Sequence, residues 1–560
     1  MDPVHCYRHF DTTMNLESDV SGDFAEKTWF YSATEKGEKS KLGGPYKFNC
    51  CSDNLFPDMG FFHLSLFVIL GTFPAALLAQ GVMYSSIAVN VTETIAETDE
   101  NFVCATIDWW PHDKCNYNRC PWGYSSAINL NLSNPFLGRA IQAFKNLRIR
   151  IGGSLQDQVV YDVGKLKVPC HPFQKINNGL FGYSKGCLHM KRWDELNCLF
   201  RNNRVVVTFG LNALFGRHRI RQDAWGGDWD SSNARDFIRY TISKGYPVDS
   251  WEFGNELSGS GIGASVAAEQ YGKDLIALRK VIDELYENSH VKPLLIAPGG
   301  FFDEGWYTKL LQVSGPGVIN VMTHHIYNLG AGIDPNLVSK ILSPLYLSEI
   351  SKTFSDLQET IRKHGPWSSA WVGESGGAYN SGGRHVSNTF VNSFCALLWH
   401  RLMGKGVLTV ESNAPSHLRS YAHCSKGRAG VTLLLINLNN ETNFITRVHN
   451  NNVKSLVVEK QPSTEEGTIL IRGLKKTVSF VGTRSSKAAP LFREEYHLTP
   501  KDGYLRSQVM LLNGTPLEVT EDGEIPTLKP AFAHVNSLVS VAPLSMAFIV
   551  LPSMYAPACA

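Results

Sequence analysis

Two glutamates stand in settings suited to acid–base and nucleophilic work. Glu256 closes the run Trp251-Glu252-Phe253-Gly254-Asn255-Glu256, and Glu374 sits in Trp371-Val372-Gly373-Glu374-Ser375-Gly376-Gly377. Cleaving a glycosidic bond needs one carboxylic acid to protonate the departing oxygen and one carboxylate to attack the anomeric carbon. Both runs read as parallel strands, and both glutamates fall at the C-terminal strand ends where barrel enzymes gather their catalytic groups. Glu256 as proton donor needs a raised pKa, whereas Glu374 as nucleophile must be ionised. Asn255 adds a donor for a sugar 2-hydroxyl, a contact that tightens in the transition state. An Asn-Glu pair alone says little, since most carboxylates are solvated loop residues. A second strand-end Glu three strands later singles the pair out.

The neighbouring candidates divide by position. Glu252 lies four residues before Glu256, deeper in the barrel, and reads as half of a buried ion pair. Tyr327, near a strand end in Thr323-His324-His325-Ile326-Tyr327, could hold Glu374 through its hydroxyl, although a rim aromatic is often packing alone. His324 and His325 point to opposite faces of a strand, so they cannot share a metal ion, and one of them lines the pocket. Cys115 and Cys120 have no second ligand pair at zinc spacing and read as a local disulfide. The sequence shows no phosphate-cradling loop. No metal or cofactor is expected.

The elements that must position these groups follow from hydrophobic periodicity. Seven apolar, β-branched runs begin at Phe102, Leu147, Arg204, Trp251, Leu294, Val318 and Ala370. Amphipathic stretches lie between them, including Asn233 to Lys244, Ala267 to Tyr286 and Leu345 to Lys363. Alternating strands and helices predict an α/β fold with a parallel sheet. A dinucleotide-binding sheet would need Gly-x-Gly-x-x-Gly after its first strand, which is missing, so a TIM-type (β/α) barrel is favoured over residues 102–403. After Met403 the texture changes to alternating runs at Val431, Lys454 and Met546, predicting a β-sandwich over 404–560 that residues 81–101 join.

Composition excludes some partners. With 53 Lys and Arg against 51 Asp and Glu, there is no field to hold nucleic acid. The apolar run from Phe61 to Leu70 and the small residues after it read as a secretory signal over 59–80, starting at Met59. Residues 1–58 are then a polar leader, consistent with a start-site artefact. A signal anchor, with membrane association, is the alternative. Sequons at Asn90, Asn131, Asn440 and Asn513 agree with the secretory pathway and an extracellular, wall or vacuolar destination. Nine cysteines follow the signal, an odd set that leaves at least one unpaired. Oligomeric state is not legible.

At Trp251 to Gly259 (WEFGNELSG) and Val372 to Ser381 (VGESGGAYNS) the chain resembles the heparanase-like β-glucuronidases of glycoside hydrolase family 79, especially the plant members. The likeness runs from about residue 82 to Ala560 and includes Arg148 to Asp157 (RIRIGGSLQD). The resemblance implies a retaining, cofactor-free enzyme that removes glucuronic acid from polysaccharide or proteoglycan glycans, of arabinogalactan type in the plant branch. Residue by residue it implies Glu256 as acid/base and Glu374 as nucleophile, with Asp108, Ser154 and Asn255 holding uronate hydroxyls.

The chain departs from that family in one place. The family has an eighth strand, which helps bind the sugar carboxylate, before the last barrel helix. Here Asn392-Ser393-Phe394 passes through Cys395 straight into Ala396-Leu397-Leu398. One βα unit of the barrel is therefore expected to be missing, leaving two unpaired sheet edges. That sets two rivals beside the main reading: a catalytically impaired carbohydrate-binding relative, and a hydrolase of neutral glycosides.

Overall fold

The computed structural model describes residues 81–560 except Lys167, residues 394–395 and residues 452–490. The expectations for the leader, the signal segment, the strand from Lys454 and the Phe394–Cys395 seam lie outside the described residues. The first element, β1 (Gly81–Glu97), belongs to a sheet built mainly from the other end of the chain.

The barrel follows. Its strands are β2 (Cys104–Asp108), β3 (Arg148–Gly152), β4 (Val206–Leu211), β5 (Ser250–Phe253), β6 (Leu294–Phe301), β7 (Val321–Ala331) and β8 (Ser369–Tyr379). They lie in sequence order in one seven-stranded sheet, every neighbouring pair parallel. Between them run α1 (Pro135–Ala143), α2 (Met190–Asn202), α3 (Ser232–Ser243), α4 (Ala268–Leu285), α5 (Glu304–Ser314) and α6 (Ile350–His364). In α4 the residues Tyr271, Leu275, Leu278 and Ile282 are buried, a helical spacing that puts one stripe against the sheet. The single helix expected from Leu345 to Lys363 divides at Glu349, with a short helix Pro344–Ser348 ahead of α6.

Side-chain parity separates the two faces of these strands. Ile149, Ile151, Trp251 and Phe253 join the hydrophobic core under the helices. There Trp193, Phe209, Phe237 and Trp251 interlock, with Phe209 and Phe237 centroids 4.9 Å apart and Trp193 and Phe209 5.1 Å apart. The alternate positions carry polar groups that bond to one another. Arg148 donates to Thr208 and Asp249, and Arg150 donates to Glu252.

After β8 the chain makes a short turn at Phe390–Asn392 and enters α7 (Ala396–Leu402). Among the described residues no eighth barrel strand stands between β8 and β2, and the two are not paired. The loops beyond them do meet at the C-terminal rim. Asn116 Nδ2 donates to Ser381 Oγ at 2.7 Å, and Asn380 Nδ2 to the Tyr117 hydroxyl at 3.2 Å. The Cys115–Cys120 disulfide closes the loop that makes these contacts.

The remaining strands include β9 (Met403–Ser412), β10 (Leu418–Ser425), β11 (Val431–Asn437), β12 (Thr442–Asn450), β13 (Phe492–Pro500), β14 (Val539–Val541) and β15 (Ser545–Leu551). They form one continuous eleven-stranded sheet in which β1 lies between β9 and β12. Leu433, Leu435, Ala547 and Ile549 face this sheet's own core, shared with Ile87, Val89 and Val541. Leu434, Met546, Phe548 and Val550 face the other way, into the core shared with the barrel. Burial on both faces explains the unbroken apolar runs in the sequence. Each of those side chains contributes about 1.5–3 kcal/mol to holding sheet and barrel together.

Candidate active site

Glu256 follows the C-terminal end of β5, in a turn that bends sharply. Gly254 (φ 73°) and Glu256 (φ 56°) both take left-handed backbone conformations. Glycine accepts that geometry freely, whereas for Glu256 it costs about 1–2 kcal/mol. Two backbone hydrogen bonds offset the cost, Glu256 N to Gly299 O at 2.6 Å and Ile262 N to Glu256 O at 3.0 Å. Strain of this kind persists where the surroundings fix it, often at functional positions.

Glu374 lies on β8 opposite His325 of β7, so their side chains project to the same face. Tyr327, two residues along β7, shares that face and donates its hydroxyl to Glu374 Oε2 at 3.0 Å. His325 Nδ1 stands 3.1 Å from Glu256 Oε1 and 3.7 Å from Glu374 Oε2. His324 points away, its ring 5.1 Å from that of Phe354 on α6. Of the two adjacent histidines, His325 is the one in the pocket.

Arg150 of β3 reaches the same centre from the far side. Its Nη1 donates to Glu374 Oε1 at 2.6 Å, Nε to Glu252 Oε2 at 2.6 Å and Nη2 to Asn255 Oδ1 at 2.9 Å. A guanidinium can only donate, so Asn255 turns its carbonyl to Arg150, and its Nδ2 is the end left for another acceptor. Glu252 is fully buried and forms the expected ion pair.

The two glutamates sit in opposed electrostatic settings. Burial raises the Glu256 carboxyl and nearby Glu374 adds to the rise, while the His325 hydrogen bond opposes it; the net direction is up. Burial also pushes Glu374 up, but there the charges of His325 and Arg150 and the hydrogen bonds from Tyr327 and Arg150 win, and its pKa falls. Burial alone would lower Arg150; Glu252 and Glu374 reverse this and keep it charged.

Asp108 ends β2, and its carboxyl lies over Gly153, where an added Cβ would come within 2.4 Å of it. Gly153 has φ 90°, so glycine suits this close approach twice over. Asp108 also acts on Arg150 through its charge. Ser154 is half-buried in the next turn and, among the described residues, makes no hydrogen bond to either glutamate. Thus Glu256, Glu374, Asn255 and Tyr327 converge, Asp108 stands beside them, and Ser154 lies at the edge. Sequence reasoning did not assign Arg150. Its signal was a second basic residue at two-residue spacing inside the apolar run RIRIGG, which puts a cation on the inner face.

Two groups of side chains have metal-ligating character. Glu256, His325 and Glu374 offer atoms within 4.8 Å of one another, but the Arg150 guanidinium already supplies the positive charge at Glu374. Asp162, Cys170, Cys187 and His189 form the second group, where a disulfide occupies both sulfurs. A mostly apolar pocket, partly open to solvent, lies elsewhere, between Ile341, Leu347, Phe390, Ile436 and Met546, without a carboxylate in its lining.

The expected strand-end position holds for Glu256, just past β5, whereas Glu374 lies inside β8, which runs on to Tyr379; the two carboxylates, with oxygens within 4.8 Å of one another on one parallel barrel, define a barrel glycosidase. Residues 84–399 match the glycosyl hydrolase family 79 N-terminal domain. Heparanase-like protein 1 of Arabidopsis thaliana is 56% identical over 547 residues, covering 90% of this chain and 100% of the relative. Baicalin-beta-D-glucuronidase of Scutellaria baicalensis is 35% identical over 515 residues, covering 82% and 90%. In structure, the chain resembles a 4-O-alpha-L-rhamnosyl-beta-D-glucuronidase from Fusarium oxysporum 12S, with TM-score 0.53, 14% identity and coverage of 83% and 100%. A GH51 arabinofuranosidase from Xanthomonas axonopodis pv. citri gives TM-score 0.51 at 13% identity, covering 84% and 99%. These two structures support the fold alone. The chain belongs to glycosyl hydrolase family 79 and is a heparanase-like glycosidase of the plant type.

The alignment with the Arabidopsis relative is longer than the part of this chain it covers, so about 40 positions of the relative have no counterpart here.

Proposed function

We propose that this chain is a retaining hydrolase that releases β-linked glucuronic acid from polysaccharide or proteoglycan glycans, with Glu374 as nucleophile and Glu256 as acid/base. Glu374 attacks the anomeric carbon while Glu256 gives its proton to the departing oxygen, so the glycosidic bond breaks as a glycosyl–Glu374 ester forms. Water then attacks the anomeric carbon, Glu256 takes its proton, and the ester bond breaks with net retention. The observation that carries this reading is the opposed pair itself. One buried carboxyl is raised, the other lowered, and the two offer oxygens within 4.8 Å of one another.

The uronate reading is supported by the names of the relatives, among them baicalin-beta-D-glucuronidase and the hyaluronoglucuronidase of Hirudo nipponia, 25% identical over 476 residues. In this reading Asn255 Nδ2, the end not taken by Arg150, and Asp108 meet the sugar hydroxyls. Arabinogalactan-type chains in the secretory pathway, at the wall or in the vacuole, are the proposed setting. Membrane association is the alternative, and among the described residues no helix is long and apolar enough to cross a membrane.

The lack of an eighth barrel strand among the described residues favours the second reading, a binding relative with impaired catalysis. An aryl β-glucuronide assay at mildly acid pH separates the two, with Glu374→Gln as control. Chromophore release lost in the variant supports the enzyme; equal background from both proteins supports the binding relative. Faster release from the aryl glucoside than from the glucuronide would instead mark a neutral-glycoside hydrolase.

A further inference from the structure

One buried carboxylate near the site has no part in the steps above. Asp157 lies in the short turn Gln156–Gln158 that follows β3, and it is 4% exposed. Burying an ionised carboxyl costs several kcal/mol unless hydrogen bonds compensate. Here both oxygens are spent on backbone donors. Oδ1 accepts from Ala213 N at 2.7 Å and Oδ2 from Asn255 N at 2.8 Å. Ala213 lies just past β4 and Asn255 just past β5, so one side chain from the end of β3 ties together the rims of the next two strands.

The second of those bonds matters for chemistry. Asn255 sits between Gly254 and Glu256, both in left-handed conformations, in a turn that an unrestrained chain would leave. Arg150 holds the Asn255 side chain and Asp157 holds its N–H. We propose that Asp157 is a positioning residue that, through the Asn255 N–H, aims Glu256 at the oxygen of the leaving group. Burial raises the Asp157 carboxyl, and the two N–H groups pull against that rise. The inference rests on the assignment of Glu256 as proton donor.

The test uses the full chain and leaving groups of different acidity. In Asp157→Asn a single carbonyl oxygen replaces two acceptors, and one N–H loses its partner. A misaimed acid matters little when the leaving group departs unprotonated. The variant should lose about 30- to 100-fold in kcat/KM on an unactivated phenyl β-glucuronide and less than about threefold on the 2,4-dinitrophenyl glycoside. Equal loss on both substrates would overturn the proposal, because a merely structural role has no leaving-group preference. Glu256→Gln is measured in parallel. If it shows no split, the acid assignment itself fails; if it shows one and Asp157→Asn does not, only the present inference fails. Should Asp157→Asn not melt cooperatively, Asp157→Ser, whose hydroxyl can still accept from one N–H, must show the same split.

Discussion

Tyr327 and Gly376 lie opposite one another on β7 and β8, and a Cβ at residue 376 would come within 2.7 Å of the Tyr327 ring. The bare glycine lets the ring lie across the strand and deliver its hydroxyl to Glu374. A hydrogen bond to a charged group contributes about 1.5–3 kcal/mol, so Tyr327→Phe should lower kcat about 10- to 100-fold. Gly376→Ala, by displacing the ring, should do the same. In the double variant the losses should fall short of multiplying, since both remove one contact. Independent, multiplying losses would contradict the relationship.

The pH profile should be bell-shaped, with signs set by the two carboxyls. Glu256 must hold its proton, so kcat/KM falls as pH rises through its elevated pKa. Glu374 must be ionised, so activity falls as pH drops through its lowered pKa. Tyr327→Phe removes one of the bonds that lower Glu374, and its acid limb should move to higher pH. An acid limb that stays in place would count against this account.

Arg150 serves three carboxylate and amide oxygens at once, so Arg150→Met should injure both stability and catalysis. Leaving Glu252 buried without its cation costs about 3–5 kcal/mol, read as a fall in Tm. Losing the charge beside Glu374 raises its pKa and should cut kcat by a further 10²- to 10³-fold, on the order of an electrostatic stabilising group. Glu252→Gln removes that buried charge and keeps the Arg150–Glu374 contact, so it should show a much smaller fall in Tm and little loss of kcat.

The four sequons are not equivalent. Asn131 and Asn440 are exposed, whereas Asn513 donates Nδ2 to Glu495 O and Lys529 O, each at 3.1 Å. A glycan on that nitrogen would break both bonds. Peptide mapping before and after glycan release should find Asn131 and Asn440 occupied and Asn513 bare when the chain passes through the secretory pathway. Asn90, half-buried with its Oδ1 accepting from Thr92, falls between these cases. A modified Asn513 would require β13 and its neighbours to rearrange.

Among the described residues β2 and β8 stand at the two ends of the barrel sheet, which gives a fifth expectation. Grafting the eighth-strand unit of a full-length relative between Ser393 and Ala396 should pair both edges, raising Tm by several degrees, roughly 2–4 °C per kcal/mol gained. It should also lower self-association at high concentration by light scattering. An unchanged Tm and unchanged association would mean that the rim contacts of Asn116 and Tyr117 already suffice.

The parts visible in the sequence were those governed by local rules. Apolar runs of strand length alternating with helical stripes gave seven barrel strands and the end of β5 marked Glu256, because parity and strand direction are properties of the chain itself, whereas Glu374 lies inside β8, whose pairing with β7 carries it on to Tyr379. Parity also required that only one of His324 and His325 face inward. Which one depended on the register between β7 and β8, a pairing between residues far apart in sequence. The same holds for Arg150 and Asp157. Both lie in RIRIGGSLQD, yet their partners, Glu252, Asn255, Ala213 and Glu374, come from three other strands or the turns beyond them. Sequence decided which residue types reach the rim; the closing of the sheet decided which charges meet, because electrostatic roles depend on through-space distance and burial that no local pattern encodes.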